Sequence, residues 1–228
     1  MRTLGLVPAR GGSVRIPRKN LARLGGKTLV RRALETSLAA GCFDTVAVSS
    51  DDDEILAEAS GLDVVALRRP DALATASAYV RDVVLHALRE LEGVAPPYEA
   101  VALVQCTSPF TAPDDVAATV QLLARTGAEA AVSVVRVDAA KHPLKLKILD
   151  GDRLLPYGRD DRLAPSQELP QLWVRNGSVY VFRRDVAERG LDADDVCGFE
   201  MPSERSLDID TPLDLEFARF LLDSERFH

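Results

Sequence analysis

Residues 6–20, LVPARGGSVRIPRKN, set two adjacent glycines and a serine among four cationic side chains, Arg10, Arg15, Arg18 and Lys19. Glycine permits backbone angles that other residues avoid, and Arg and Lys pair with anions, so the segment reads as a backbone cradle for phosphates. It follows neither the GxxxxGK[ST] nor the GxGxxG spacing, so its weight comes from position, directly after a short apolar run. Near the other end, LDIDTP places Asp208 and Asp210 two residues apart. On an extended chain their carboxylates project from one face, where they repel unless a cation neutralises them, and hard oxygen ligands of this kind suit Mg²⁺. A metal held by one or two carboxylates plus substrate phosphates is the usual arrangement for nucleotide chemistry. Read alone, the pair also fits a helix beginning at Asp210 with Asp208 solvated.

These groups need a scaffold, and the chain supplies alternating strands and helices. RTLGLVPA reads as a buried first strand ended by the Gly-rich loop. KTLVRRALETSLAAG (27–41) has the apolar spacing of an amphipathic helix and stops at Gly41. Strands follow at 44–50, 63–67, 99–105 and 130–137, with helices over 51–61, about 79–92 and the later part of 107–126. The nearly pure apolar run at 99–105 is typical of the middle of a parallel sheet. Such βα repeats predict an α/β fold, a doubly wound, mostly parallel Rossmann-like sheet whose ligands sit beyond the carboxyl ends of the strands.

From 138 to 171 the texture changes to Pro, Lys, Arg and Asp with short apolar runs, which reads as an inserted arm or subunit contact within one domain spanning 1–228. In LWVRNGSVYVFRRD (172–185) the alternation predicts strands around a turn at Asn176-Gly177. In SLDIDTPLDLEFARFLL (206–222) a short strand carrying Asp208 and Asp210 gives way to a helix with Thr211 as N-cap and Pro212 at its first position.

Composition narrows the function classes. With 46% hydrophobic and 28% charged residues among 228, the chain can bury a sizeable core. Its net charge of −7 and pI near 5.1 argue against nucleic acid as partner and make the basic loop a local feature. Three separated cysteines (Cys42, Cys106, Cys197) and three histidines suit neither a disulfide framework nor a zinc site, and fit a reducing cytoplasm. No apolar run approaches a membrane span. His86 and His142 read as structural, and no clear base stands out.

Taken together, VPARGGSVRIPRKN, FDTVAVSSDDDEI, LRRPDALA, LVQCTSPF, KHPLK, LPQLWVRNGSVYV and SLDIDTPLDLEFA resemble, in order, the motifs of the acylneuraminate cytidylyltransferases, also called CMP-sialic acid synthetases. The resemblance spans almost the whole chain. It implies transfer of CMP from CTP to the anomeric hydroxyl of a 2-keto sugar acid with release of pyrophosphate, in a homodimer joined through the arm. Ala9, Arg10, Gly11, Gly12, Ser13, Lys19, Asn20, Arg69 and Ala78 fall where the family holds the nucleotide. Arg10, Lys19 and Asp210 would be catalytic, Asp208 and Asp210 would hold Mg²⁺, and Gln105, Lys145, Asn176, Gly177 and Tyr180 would receive the sugar acid. Three positions depart from the family pattern. Val14 replaces a Lys, Val80 a Ser of the nucleotide pocket, and Ser166 stands near where an Arg precedes the LP pair. Those departures leave room for another anionic acceptor, such as 3-deoxy-manno-octulosonate, or for an impaired nucleotide binder.

Overall fold

The computed structural model describes residues 1–13, 15–75, 77–92, 96–157, 165 and 168–224. Thr3–Pro8 (β1) is an apolar run buried on both faces, and the loop after it returns through a two-residue hairpin, Arg23–Leu24 (β2) and Lys27–Thr28 (β3). The Thr28 side chain accepts the Arg31 N–H and so starts Leu29–Ala39 (α1). Thr45–Ser50 (β4) leads into Asp53–Ala57 (α2), capped by Asp52, and then Val65–Arg68 (β5) and Val80–Leu91 (α3). Ala100–Val104 (β6), Pro113–Thr126 (α4) and Ala130–Arg136 (β7) follow. An exposed hairpin, Lys147–Asp150 (β8) and Arg153–Pro156 (β9), lies within the arm. Trp173–Arg183 (β10), Arg184–Arg189 (α5), Val196–Glu200 (β11) and Pro212–Asp223 (α6) complete the chain.

Seven strands form one sheet in the order β11-β7-β10-β6-β1-β4-β5. Only β10 runs antiparallel to its neighbours, so the mostly parallel α/β sheet expected from the alternation is what forms. Helices cover both faces. Leu34 of α1, Ile55 of α2, Val116 of α4 and Leu215 of α6 pack on one, while Val84 of α3 and Ala187 of α5 pack on the other. After β1 the chain winds outward to β4 and β5, then returns to place β6 on β1's other side. That reversal opens a crevice beyond the carboxyl ends of β1 and β6.

Two local expectations are corrected. Asn176-Gly177 is no hairpin turn but a bulge inside the single strand β10. Both halves pair with β7, and between the Arg175–Val134 and Tyr180–Val132 pairs β10 carries three more residues than its partner. Residues 206–210 join no strand ladder. They lie across the strand ends, tied by the Ile209 N–H to the Thr107 carbonyl at 2.8 Å, with Ile209 fully buried. The helix after them starts as expected: Thr211 caps it, Pro212 opens it and Asp214 closes a capping box.

Candidate active site

Two neighbouring cavities, of about 410 and 440 Å³, open at the crevice and share Val80, Gln105 and Thr107 in their walls. The loop after β1 builds the first. Its lining includes Arg10, Gly12, Ser13, Arg15, Lys19, Asn20, Arg69 and Asp210. The loop is pinned at both ends: the Gly11 N–H donates to Asp51 Oδ1 at 3.0 Å, and Asn20 Nδ2 donates to the Arg10 carbonyl at 2.9 Å. Glycine is required at 11, because a Cβ there would lie 2.8 Å from Asp52 Oδ2, an atom held by Arg18. Among the described residues, nothing pairs with the N–H groups of Gly12 and Ser13.

The four cations of the loop divide. Lys19 Nζ reaches Asp210 Oδ1 at 3.2 Å and the Ile209 carbonyl at 2.8 Å, and Arg15 Nη1 reaches Asp210 Oδ2 at 2.7 Å. Arg10 Nη1 donates to the Thr75 carbonyl at 3.0 Å. Arg18, in left-handed backbone with φ 54°, instead turns to Asp52 and Glu54 at 3.3 and 2.9 Å, outside the cavity. Lys19 first, and Arg15 with it, holds the Asp210 carboxyl below the usual carboxylate range. Arg69 is buried, donates to the Ser49 and Leu73 carbonyls, and keeps its Nε without a partner.

The second cavity lies on the α3 and α5 face. Arg175, Gly177, Tyr180, Phe182 and Asp208 line it. The bulge explains the set, since its three extra residues reverse the strand's alternation and turn both odd and even positions the same way. Burial pushes the Asp208 carboxyl up and the nearby Asp210 adds to that, against a hydrogen bond from Thr107. Burial likewise raises the Tyr180 hydroxyl.

Several residues expected here lie elsewhere. Ala9 is fully buried in the core, its N–H on the Ser49 carbonyl. The Gly11 N–H already has a carboxylate partner and cannot serve a phosphate. Ala78 lines neither cavity, while Val80 lines both. Asn176 is buried, its amide bonded to Ser133 Oγ at 2.6 Å, Ser206 Oγ at 2.9 Å and Met201 Sδ at 3.1 Å, so it supports the bulge from inside. Lys145 is exposed in the turn Pro143–Lys145, outside both linings. Val14 and Ser166 lie outside the described residues. His142 is structural, Nε2 being 3.1 Å from the Pro170 carbonyl. Sequence reading missed Arg175 and Thr107. Thr107 stood inside a quoted motif, but the facing of Arg175 is set by the bulge and carries no signal in the local pattern.

A family model described as Cytidylyltransferase matches residues 4–221. The chain is 29% identical over 228 residues to the CMP-N,N'-diacetyllegionaminic acid synthase of Legionella pneumophila, covering 98% of this chain and 97% of that one. It is 29% identical over 225 residues to the N-acylneuraminate cytidylyltransferase of Oncorhynchus mykiss, covering 93% of this chain and 48% of that longer protein. Among solved structures, a CMP:2-keto-3-deoxy-manno-octonic acid synthetase complexed with CTP superposes with a TM-score of 0.72 at 22% identity, covering 99% of this chain and 100% of that one.

Proposed function

The chain belongs to the cytidylyltransferase family, and from that premise we propose that it joins CMP from CTP to the anomeric hydroxyl of a nonulosonic acid, releasing pyrophosphate. The observation that carries this reading is the meeting of two unlike cavities at Gln105 and Thr107, one rich in cations and the other part apolar, part polar. The full-length similarity to a legionaminic acid synthase supports a nonulosonic acid as acceptor.

Nucleotidyl transfer needs positioning and charge neutralisation around the attacked phosphorus more than covalent help from the protein. Arg10, Arg15 and Lys19, with the N–H groups of Gly12 and Ser13, suit the triphosphate and the charge that grows on the departing pyrophosphate. The unpartnered Arg69 Nε is a buried donor suited to a carbonyl of the base. The attacking hydroxyl enters from the second cavity, across the shared wall. Asp208 and Asp210 fit Mg²⁺, being hard oxygen donors with no imidazole among the described residues of either lining, and the one thiol among them, Cys106, is pushed up to about 12 by burial. No group of three ligating side chains exists among the described residues, so phosphate oxygens and water would fill the remaining positions. Bound there, Mg²⁺ supplies neutralisation of the phosphate charge.

The same reading makes the protein a cytoplasmic homodimer. Its three cysteines are free thiols, and no helix among the described residues is long and apolar enough to cross a membrane. The arm exposes Leu149 at 69% and Leu154 at 68%, with Tyr157 also exposed, and Trp173 and Val174 of β10 are exposed as well, apolar side chains suited to a second copy.

Melting curves with CTP, UTP, ATP and GTP, each with Mg²⁺, test the nucleotide half. At about 100 times its dissociation constant a ligand adds roughly 2.7 kcal/mol, or about 5–10 °C at this size. CTP alone should give that shift; equal shifts with all four, or none, would refute the reading.

A further inference from the structure

We propose that Arg175 is the specificity-determining residue that holds the acceptor's carboxylate and selects sugar acids over neutral sugars. The inference rests on the nonulosonic acid reading above. In such an acid the carboxyl group is bonded to the anomeric carbon that carries the attacking hydroxyl. Whatever holds the carboxylate must therefore stand in the second cavity and near its border with the first. Among the described residues, Arg175 is the one cation in that cavity's lining, which otherwise presents apolar walls from Leu103, Phe182 and Leu191 beside a few polar groups.

Three observations single it out. First, its guanidinium has no carboxylate or other hydrogen-bond partner among the described residues, although Asp208 lines the same cavity. The cations of the neighbouring cavity behave differently, since Arg15 and Lys19 both sit on Asp210. A guanidinium left without a partner is ready for an incoming anion, and its planar fork matches a carboxylate with two parallel hydrogen bonds. Second, its orientation is built into the backbone. The bulge makes Arg175 and Gly177 face the same way as Tyr180 and Phe182, and the buried Asn176 amide ties that bulge to Ser133 and Ser206. Third, Gly177 adds no side chain to the lining: its φ of +81° strains any other residue, and an added Cβ would come to 3.4 Å from Asp208 Oδ2. The charge of Arg175 reaches into the cavity, where it acts on the Tyr180 hydroxyl against the effect of burial.

The test measures pyrophosphate release with CTP and Mg²⁺, comparing N,N'-diacetyllegionaminic acid and N-acetylneuraminic acid with their C1 methyl esters. A charge-assisted pair of this kind is worth about 10- to 100-fold. The wild-type protein should prefer the free acid over the ester by that factor in kcat/KM. Arg175→Met should lose the preference and raise the acceptor KM about 10- to 100-fold, while its KM for CTP and its melting shift with CTP stay at wild-type values. Arg175→Lys, which keeps a charge without the fork, should restore part of the preference, and it carries the same test if the Met variant fails to fold. A variant that keeps the wild-type acid-to-ester ratio overturns the inference and leaves the function standing. Wild-type protein that releases pyrophosphate with neither acid overturns the functional reading, and the role of Arg175 with it.

Discussion

Arg15 and Arg18 stand three residues apart in one loop, carry the same charge, and face different tasks. Arg15 lies in the cavity wall on Asp210, while Arg18 is bound to Asp52 and Glu54 over the start of α2. Arg15→Ala should therefore raise the KM for CTP about tenfold, the worth of one charge-assisted contact to phosphate. Arg18→Ala should leave that KM within about twofold and barely move the melting temperature, because exposed ion pairs contribute little. Steady-state kinetics and melting curves on the two variants check this, and equal effects on KM would contradict the division. Arg10, Lys19 and Asp210 were legible in the sequence, because charge type and placement after an apolar run or before a helix are local signals. Asn176 read as an acceptor residue because the family resemblance places the Asn-Gly pair there, and nothing nearby reveals that Ser133 and Ser206 will enclose its amide.

The segment 206–214 shows how an element aims a side chain. Asp214 Oδ2 accepts the Asp210 N–H at 3.0 Å, the Thr211 N–H at 2.7 Å and the Thr211 hydroxyl at 2.9 Å. The cap of α6 thus fixes the backbone of Asp210, so Asp214 is a positioning residue. Asp214→Ala should lower stability by about 1–2 kcal/mol, or about 3–6 °C, and also lower kcat. Asp214→Asn, which keeps an acceptor oxygen, should recover much of kcat; a variant that loses stability with kcat intact would show the cap to be structural only. Thr211, Pro212 and Asp214 made this helix start readable in advance. The strand expected at 206–210 was not realised, because period-2 alternation marks extended backbone and does not say whether a ladder partner exists. The bulge in β10 escaped for a related reason: its register comes from β7 and β6, strands distant in sequence.

At the scale of the molecule, the chain carries a net charge of −7 yet gathers Arg10, Arg15, Lys19 and Arg69 at one end of its sheet. A cationic pocket on an acidic body suits a small polyanion. The core of the sheet was legible because β1, β4, β6 and β7 are buried apolar runs. The β8–β9 hairpin was not, since all eight of its residues are exposed and follow no inward-facing pattern. Its bare leucines have a consequence for assembly. Light scattering at micromolar concentration should give a dimer, and Leu149→Asp combined with Leu154→Asp should give a monomer that still melts cooperatively. A monomeric wild type would contradict the proposed interface.

The most direct measurement is product formation. The protein is incubated with CTP, Mg²⁺ and N,N'-diacetyllegionaminic or N-acetylneuraminic acid, with pyrophosphate followed continuously and the CMP-sugar identified by mass. The expected result is acid-dependent pyrophosphate release, equimolar with CMP-sugar, that falls at least about a thousandfold in Asp210→Ala while the variant's melting temperature holds. Binding of CTP with no pyrophosphate released in the presence of either acid would contradict the account.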